Sequence, residues 1–213
     1  MHSRSSWIAL AALGLALSGC NYFRPAQPEL PRGSGTQGSG VHVNYSAPDS
    51  TLATLKLAIQ DKSATNGQSA YVGGLADPTT DDVEFTATFD PLTLARFSTP
   101  PSTAWGLQNE QLFYAALSQI DASFTFSFTW GVFQGAVNDE LNPTTATLYR
   151  SYTLRATQDG GATYINEARG NAELHLILSG SRWKIVKWID SEDPHAEFIN
   201  GEKSFGYLRL GGR

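Results

Sequence analysis

The chain has 213 residues, a formal net charge of −5 and a single cysteine, Cys20. An acidic chain without clusters of lysine or arginine lacks the electrostatic footprint of proteins that bind nucleic acid, so we expect no nucleic-acid partner. One thiol supports neither an internal disulfide nor a cysteine-based metal site. The length suffices for a packed core, and the sequence implies no metal or organic cofactor.

Residues 1–19 have the pattern of an export signal. MHSRSS carries one arginine and no acid, and the uncharged run that follows is too short to span ~30 Å of hydrocarbon as a helix. The next residues, Leu17-Ser18-Gly19-Cys20, resemble the lipobox of bacterial lipoproteins, in which a peptidase cuts before the cysteine and the thiol carries a diacylglycerol. This resemblance implies lipidation of Cys20. The alternative is an incidental cysteine at an ordinary cleavage site.

The expected location follows from the lipid on Cys20. Two or three acyl chains hold a protein durably at a membrane, whereas a single chain holds it only marginally. Asn21 is not the aspartate that resembles an inner-membrane retention signal, so the sequence favours the outer membrane of the cell envelope, with the protein facing the periplasm. Residues 20–46 contain three prolines and then a glycine- and serine-rich stretch, which is the composition of a spacer.

Residues 47–213 are expected to form one domain that begins with helices. Leu52, Leu55 and Ile59 recur at helical spacing after Pro48, which predicts a helix from about 48 to 62. GQSAYVGGLAD predicts a shorter helix, VEFTATFDP a strand, and WGLQNEQLFYAALSQI another helix. The apolar stripe of this last helix consists of Leu107, Tyr114, Leu117 and Ile120.

The second half of the domain has the period of β-strands. SFTFSFTW places four aromatic residues on one face, namely Phe124, Phe126, Phe128 and Trp130. ATLYRSYTLRATQ and NEARGNAELHLILSG predict two strands joined by a hairpin turn at Asp159-Gly160-Gly161, and SGSRWKIVKWIDS predicts a further strand. The fold class is therefore α+β, with helices packed on one face of a curved antiparallel sheet.

Strand parity separates expected core residues from surface residues. His175 and Glu173 share a face with Arg169 and Asn171, so they form either an acid/base pair or, as the pattern favours, part of a solvated outer face. Trp188 is expected in the core. Trp183 has the opposite parity and is expected at a rim or an interface.

The order of these elements resembles a known family. Helix, helix, strand, helix and a long meander ending in WKIVKWIDSED resembles the nuclear transport factor 2-like cone of SnoaL-like polyketide cyclases and ketosteroid isomerases. TLATLKLAIQDK with AYVGGLAD, then WGLQNEQLF, WKIVKWID and FGYLRL, is similar to a group of uncharacterised bacterial lipoproteins with that cone. The resemblance covers roughly residues 47–213. It implies a sheet wrapped around the N-terminal helices, with a cavity used for catalysis in some members and for binding or scaffolding in others.

No catalytic constellation accompanies this resemblance in the sequence. Ketosteroid isomerases use an aspartate base with a tyrosine and a protonated aspartic acid, and we cannot place those three groups on matching motif positions. No nucleophile elbow, HExxH pair or phosphate-binding glycine loop occurs. We therefore expect non-catalytic binding of a small apolar or anionic ligand or of an envelope protein. A SnoaL-like isomerase or hydrolase and a scaffold subunit of an envelope complex are the alternatives.

Arg150 and Tyr152 are the candidate ligand-binding residues. They share parity with Leu148 and Leu154, so a cation and a phenol would enter an apolar cavity if that face points inward. There they could hold an anionic or carbonyl-bearing ligand. The alternative, which the pattern favours, is an arginine paired with an acid near the mouth of the cone and a tyrosine whose ring belongs to the core.

Overall fold

The computed structural model describes residues 40–99, 101–120, 124–133, 137–158, 163–193 and 204–211, with the backbone alone for residues 163–167. The expected signal peptide, Cys20, most of the expected spacer and the Asp159-Gly160-Gly161 turn lie outside these residues. All described residues belong to the unit that spans residues 38–213.

The sequence predicted the three longer helices. The helices are α1 (Pro48–Gln60), α2 (Gly67–Val72), α3 (Pro91–Ala95), α4 (Leu107–Ser118) and α5 (Phe205–Arg209). Helix α1 begins with Pro48 in its first turn and buries the predicted leucine and isoleucine stripe. Helix α4 buries three of its four predicted residues, but Ile120 lies beyond the helix end and is 40% exposed. Assigning Ile120 to the buried stripe was therefore wrong.

Helices α3 and α5 were not predicted. Each has five residues, which is too short to display an apolar period. Both begin with a side-chain cap, since Asp90 accepts hydrogen bonds from backbone amides of α3 and Ser204 accepts one from Tyr207 of α5. Capping therefore marks these two helices more clearly than hydrophobic patterning does.

The strands that the structure describes form one mixed sheet. They are β1 (Thr86–Phe89), β2 (Trp105–Gly106), β3 (Phe124–Val132), β4 (Glu140–Leu141), β5 (Thr145–Gln158), β6 (Thr163–Ser179) and β7 (Arg182–Glu192). Their order is β2-β1-β7-β6-β5-β3, and β4 pairs with β5. The run β3-β5-β6-β7 is the predicted antiparallel meander.

The sheet differs from the prediction at β1, which pairs with β7 in parallel, with Thr86 opposite Lys187. The prediction of an entirely antiparallel sheet was wrong on this point. A hairpin forces its two strands to be antiparallel, whereas strands joined by a long connection are free to run in the same direction. In the sequence, helix α4 and strands β3 to β6 lie between β1 and β7.

A β-bulge places both strand tryptophans in the core. Leu176 pairs with Ile185 and His175 pairs with Lys187, so Val186 is the extra residue of β7. The bulge reverses the parity of the strand. Trp183 and Trp188 are therefore both buried, and the expectation that Trp183 lies at a rim or interface was wrong, because it assumed a regular strand.

The α+β fold class is confirmed, and the order of the longer elements is the one that the family resemblance implies. Helix α1 contacts the sheet at β3 and β7. Val41 and Tyr45, which fall in the expected spacer, are buried against the domain, and the Tyr45 hydroxyl donates to the Ala70 carbonyl at 2.7 Å. Among the described residues, no helix combines the length and apolar character needed to cross a membrane.

Candidate functional site

An aromatic side chain from α5 packs against the buried face of the sheet. Phe205 of α5 is fully buried and stacks on Trp188, with ring centroids 5.6 Å apart. Its ring also contacts Phe128 at 6.0 Å, Tyr152 at 6.1 Å and Phe113 at 5.2 Å. Since these partners come from β7, β3, β5 and α4, the ring of Phe205 joins the sheet to the helical layer.

Two buried side chains hold the start of α5. The Tyr152 hydroxyl donates to Asp190 Oδ1 at 2.7 Å, and the backbone N–H of Phe205 donates to the Tyr152 oxygen at 2.8 Å. The N–H of Gly206 donates to Asp190 Oδ2 at 2.8 Å. The first amides of a helix have no partner within it, so this tyrosine–aspartate pair anchors the N-terminus of α5 inside the domain.

Burial sets the acidity of this pair. Desolvation raises the pKa of Asp190 to about 6, while the Arg209 charge and the hydrogen bonds from Tyr152 and Gly206 act in the opposite direction. Burial, followed by the neighbouring Asp190 charge, raises the pKa of Tyr152 well above its usual value. Asp190 therefore titrates closer to neutral pH than an exposed aspartate does.

A second buried cluster surrounds Glu110 of α4. Arg209 donates to Glu110 Oε1 from Nη2 at 2.7 Å and from Nε at 3.1 Å. Tyr71 donates to the same oxygen at 2.5 Å, and Trp105 Nε1 donates to Oε2 at 2.6 Å. The side chains of Glu110 and Arg209 are fully buried. A buried ion pair needs this degree of hydrogen bonding to offset the loss of water.

The Arg209 guanidinium lies over the face of an indole. Its Cζ is 4.1 Å from the ring centroid of Trp188 and 4.7 Å from that of Phe205, so it makes two cation–π contacts. Within the part of the chain that the structure describes, Arg209 Nη1 and Trp188 Nε1 have no hydrogen-bond partner. The cation is thus held by one carboxylate and two rings, and its Nη1 amino group has no acceptor among the described residues.

The sequence analysis missed Glu110, Asp190 and Arg209. The sequence could have indicated Glu110, because it lies on the same helical face as the buried Leu107 and Tyr114. An acidic residue on an apolar helical face is unusual. The sequence could also have indicated Asp190, since it shares strand parity with Trp188. It could not have indicated Arg209, because α5 is too short to establish a periodic face.

The structure does not bring Arg150 and Tyr152 into one cavity. Arg150 is ion-paired with Asp139 at 2.7 Å and with Asp49 at 2.8 Å, and the ring of Tyr152 is in the core. Both placements agree with the alternative that the sequence left open. Ligand binding by the two residues stays a prediction.

Arg150 also lines a surface pocket of about 430 Å³ beside the end of β3. The other lining residues are Trp130, Gly131, Val132, Phe133, Val137, Asn138, Asp139 and Tyr149. Trp130 belongs both to this pocket and to the core, where its indole lies 5.7 Å from that of Trp188. The pocket is thus lined by aromatic and aliphatic side chains together with the Arg150 guanidinium, which its ion pairs hold in place.

His175 and Glu173 form a pair on the outer face of the sheet. His175 Nε2 lies 2.7 Å from Glu173 Oε1, and more than a third of each side chain is exposed. This placement is the solvated face that the strand parity favoured. In the described residues, no group of three or more histidine, cysteine, aspartate or glutamate side chains is arranged to hold a metal ion.

No protein-family model and no curated protein matches this sequence. Solved structures that match include a proposed aromatic ring hydroxylase and a proposed scytalone dehydratase, both from Novosphingobium aromaticivorans, and a protein of unknown function from Mycobacterium tuberculosis. Their identities are 11%, 10% and 13%, and their TM-scores 0.47, 0.46 and 0.49. The matches cover 75%, 74% and 77% of this chain and 92%, 90% and 82% of theirs. Likenesses this low carry no assignment of activity.

Proposed function

We propose that this chain is a lipid-anchored protein of the bacterial cell envelope whose domain binds a small ligand or a partner protein without catalysis. The observation that carries the proposal is the position of Phe205, whose buried ring packs between aromatic side chains of the sheet and of α4. General acid–base catalysis needs a titratable group within hydrogen-bond reach of a substrate. The fully buried carboxyl groups of Asp190 and Glu110 are instead bound to donors of the protein.

The surface pocket beside β3 is the proposed recognition site. Its volume of about 430 Å³ lies within the range of roughly 300–1,000 Å³ that small-molecule sites occupy. Trp130, Val132 and Tyr149 supply apolar and aromatic wall, and Asp139 holds the Arg150 guanidinium in a bidentate contact. This combination fits a ligand with an apolar body and one polar group.

A partner protein is the second candidate occupant of the same pocket. Val132 is 87% exposed, and Leu141 on the neighbouring β4 is 67% exposed. Clustered exposed apolar side chains mark interaction surfaces. Strand β3 also ends the described order of the sheet, and an edge strand offers backbone hydrogen-bonding groups to an incoming strand. This observation supports the scaffold alternative.

Anchoring rests on the sequence of residues 1–20. A charged start, an uncharged apolar run and the Leu17-Ser18-Gly19-Cys20 box support lipidation at Cys20. The spacer would then carry the domain clear of the headgroups. Asn21 supports the outer membrane, with the domain facing the periplasm. The membrane is therefore the first proposed partner, reached through the lipid.

The binding proposal is tested by a thermal-shift screen of the purified protein against lipids, steroid-like compounds and peptidoglycan fragments. Each hit is measured again with Arg150→Ala and with Lys187→Ala, an exposed cation on β7, as the matched control. We expect Arg150→Ala to weaken binding about tenfold or more, which is ~1.4 kcal/mol, and Lys187→Ala to have no effect. Mass spectrometry should recover the ligand unchanged. Conversion of a hit to product would instead establish the enzyme alternative.

A further inference from the structure

Arg209 is bound inside the domain in the way that a protein binds a cationic ligand. The Cζ of the guanidinium lies 4.1 Å from the ring centroid of Trp188, and Glu110 accepts two of its N–H groups. Trp188 and Glu110 come from β7 and α4, whereas Arg209 comes from the five-residue α5. An aromatic face together with a buried carboxylate is the usual way to recognise an organic cation.

The Glu110 carboxylate that binds Arg209 is held in place by residues outside α5. Tyr71 of α2 and Trp105 of β2 each donate to the Glu110 carboxylate, and neither belongs to α5. Tyr71 is held in turn by stacking on Tyr114, with ring centroids 4.8 Å apart. The position of the carboxylate is therefore set by other elements, as is required of a pre-organised site.

Not every N–H group of the Arg209 guanidinium has a hydrogen-bond partner in this site. Arg209 Nη1 has no partner among the described residues, and neither has Trp188 Nε1. A buried donor without an acceptor weakens the state that contains it. Arg209 therefore binds the Glu110 carboxylate and the Trp188 ring but makes no hydrogen bond through Nη1.

We propose that Glu110, Trp188, Tyr71 and Trp105 form a guanidinium-binding cage, and that Arg209 fills this cage as an internal ligand carried by α5. The ligand class is an alkylguanidinium, either as a free small cation or as the arginine side chain of a peptide. The cage lies in the core, and the surface pocket lies beside β3. The proposal therefore does not depend on ligand binding at that pocket.

The test is chemical rescue of the full-length protein. Arg209→Ala empties the cage and leaves the Glu110 carboxylate buried without its cation. Ethylguanidinium, added at millimolar concentration, should raise the melting temperature of this variant saturably, because a ligand that binds only the folded state stabilises it by mass action. Urea, which is planar and neutral, should give no saturable rise. Wild type should not respond, because Arg209 already fills its cage.

Arg182→Ala is the matched control, since it removes an exposed arginine at the start of β7. We expect no saturable rise with ethylguanidinium in this variant. Two peptides separate the two sources of the cation. SFGYLRLG has the sequence of residues 204–211, and SFGYLALG has alanine in place of the arginine. Tighter binding of the arginine peptide than of ethylguanidinium to Arg209→Ala would identify a peptide ligand, and the reverse order a small cation.

The proposal is overturned if Arg209→Ala responds to ethylguanidinium no more than Arg182→Ala or wild type does. If Arg209→Ala is unfolded as purified, refolding is followed by circular dichroism with and without ethylguanidinium. Recovery of the wild-type spectrum with ethylguanidinium, but not with urea, supports the cage. Failure to recover it in either additive contradicts the cage.

Discussion

Tyr152 of β5 and Asp190 of β7 are joined by a hydrogen bond of 2.7 Å that crosses the intervening strand β6. The residue between them is Gly170, which pairs with Tyr152 on one side and with Glu192 on the other. A Cβ at this position would overlap both the Tyr152 hydroxyl and the Ser191 carbonyl oxygen. The contact therefore requires a glycine on the central strand.

Gly170→Ala should destabilise the protein. The added methyl group must displace the Tyr152 hydroxyl or the backbone of β7, and overpacking of this kind costs ~1–3 kcal/mol. Chemical denaturation monitored by tryptophan fluorescence measures the loss. Gly131→Ala on the exposed end of β3 is a useful comparison, because its Cβ would approach only the Ser151 hydroxyl closely. Equal losses in the two variants would contradict this account.

Tyr152→Phe should loosen the attachment of α5. The change keeps the ring but leaves Asp190 Oδ1 and the Phe205 N–H each without one partner, and unpaired buried groups cost ~1–3 kcal/mol. Tyr149→Phe on the same strand is the matched control, since its ring faces the surface pocket, and should change the free energy of unfolding by less than ~0.5 kcal/mol. If wild type and Tyr152→Phe had the same denaturation midpoint, the Tyr152 hydroxyl would contribute nothing to the free energy of unfolding.

Asp190 should make stability depend on pH between about 4 and 6. Its folded-state pKa of about 6 lies above the ordinary value of 3.8, so the folded protein binds the proton more tightly than the unfolded chain. The resulting stabilisation is complete below pH 3.8 and is lost as the pH rises through 6. The free energy of unfolding of wild type, relative to that of Asp190→Asn, should therefore increase by roughly 2 kcal/mol as the pH falls from 7 to 4.

The comparison with Asp190→Asn isolates one carboxyl group, because the other titrating groups are common to both proteins. Denaturant unfolding at four or five pH values gives the two curves. A constant difference across this range would show that Asp190 has the same pKa in the folded and unfolded states.

Phe126→Ala and Trp188→Ala should each cost ~3–5 kcal/mol, through lost burial and the cavity left behind. Both side chains are buried in the core. Leu112→Ala on the exposed face of α4 is the control and should change the free energy of unfolding by less than ~0.5 kcal/mol. A loss below ~1 kcal/mol in both aromatic variants would be incompatible with the observed buried face.

Cys20→Ser should prevent lipidation and durable membrane attachment. Without the thiol there is no site for the diacylglycerol that would hold the protein at the membrane. Metabolic labelling with a radioactive or clickable fatty acid, combined with detergent partitioning, measures both effects. Wild type should be labelled and enter the detergent phase, whereas the variant should do neither. Equal labelling of the two proteins would refute the assignment of Cys20.

Local patterns were sufficient for the elements whose neighbours are close in sequence. The spacing of Leu52, Leu55 and Ile59 predicted α1, because a helical face is set by residues three and four positions apart. Alternation around Phe126 and Phe128 predicted β3 and its buried face for the corresponding reason. The solvated position of His175 also followed from strand parity alone.

The tertiary structure decided the features that depend on distant segments. The parity change at Val186 arises from the pairing of β7 with β6, and the parallel β1–β7 pair joins strands about 100 residues apart in register. The surroundings of Asp190 and Glu110 likewise depend on where α5 docks. Its five residues have too few apolar positions to predict a buried face, and the burial of Phe205 and Arg209 results from contacts with α4, β3, β5 and β7.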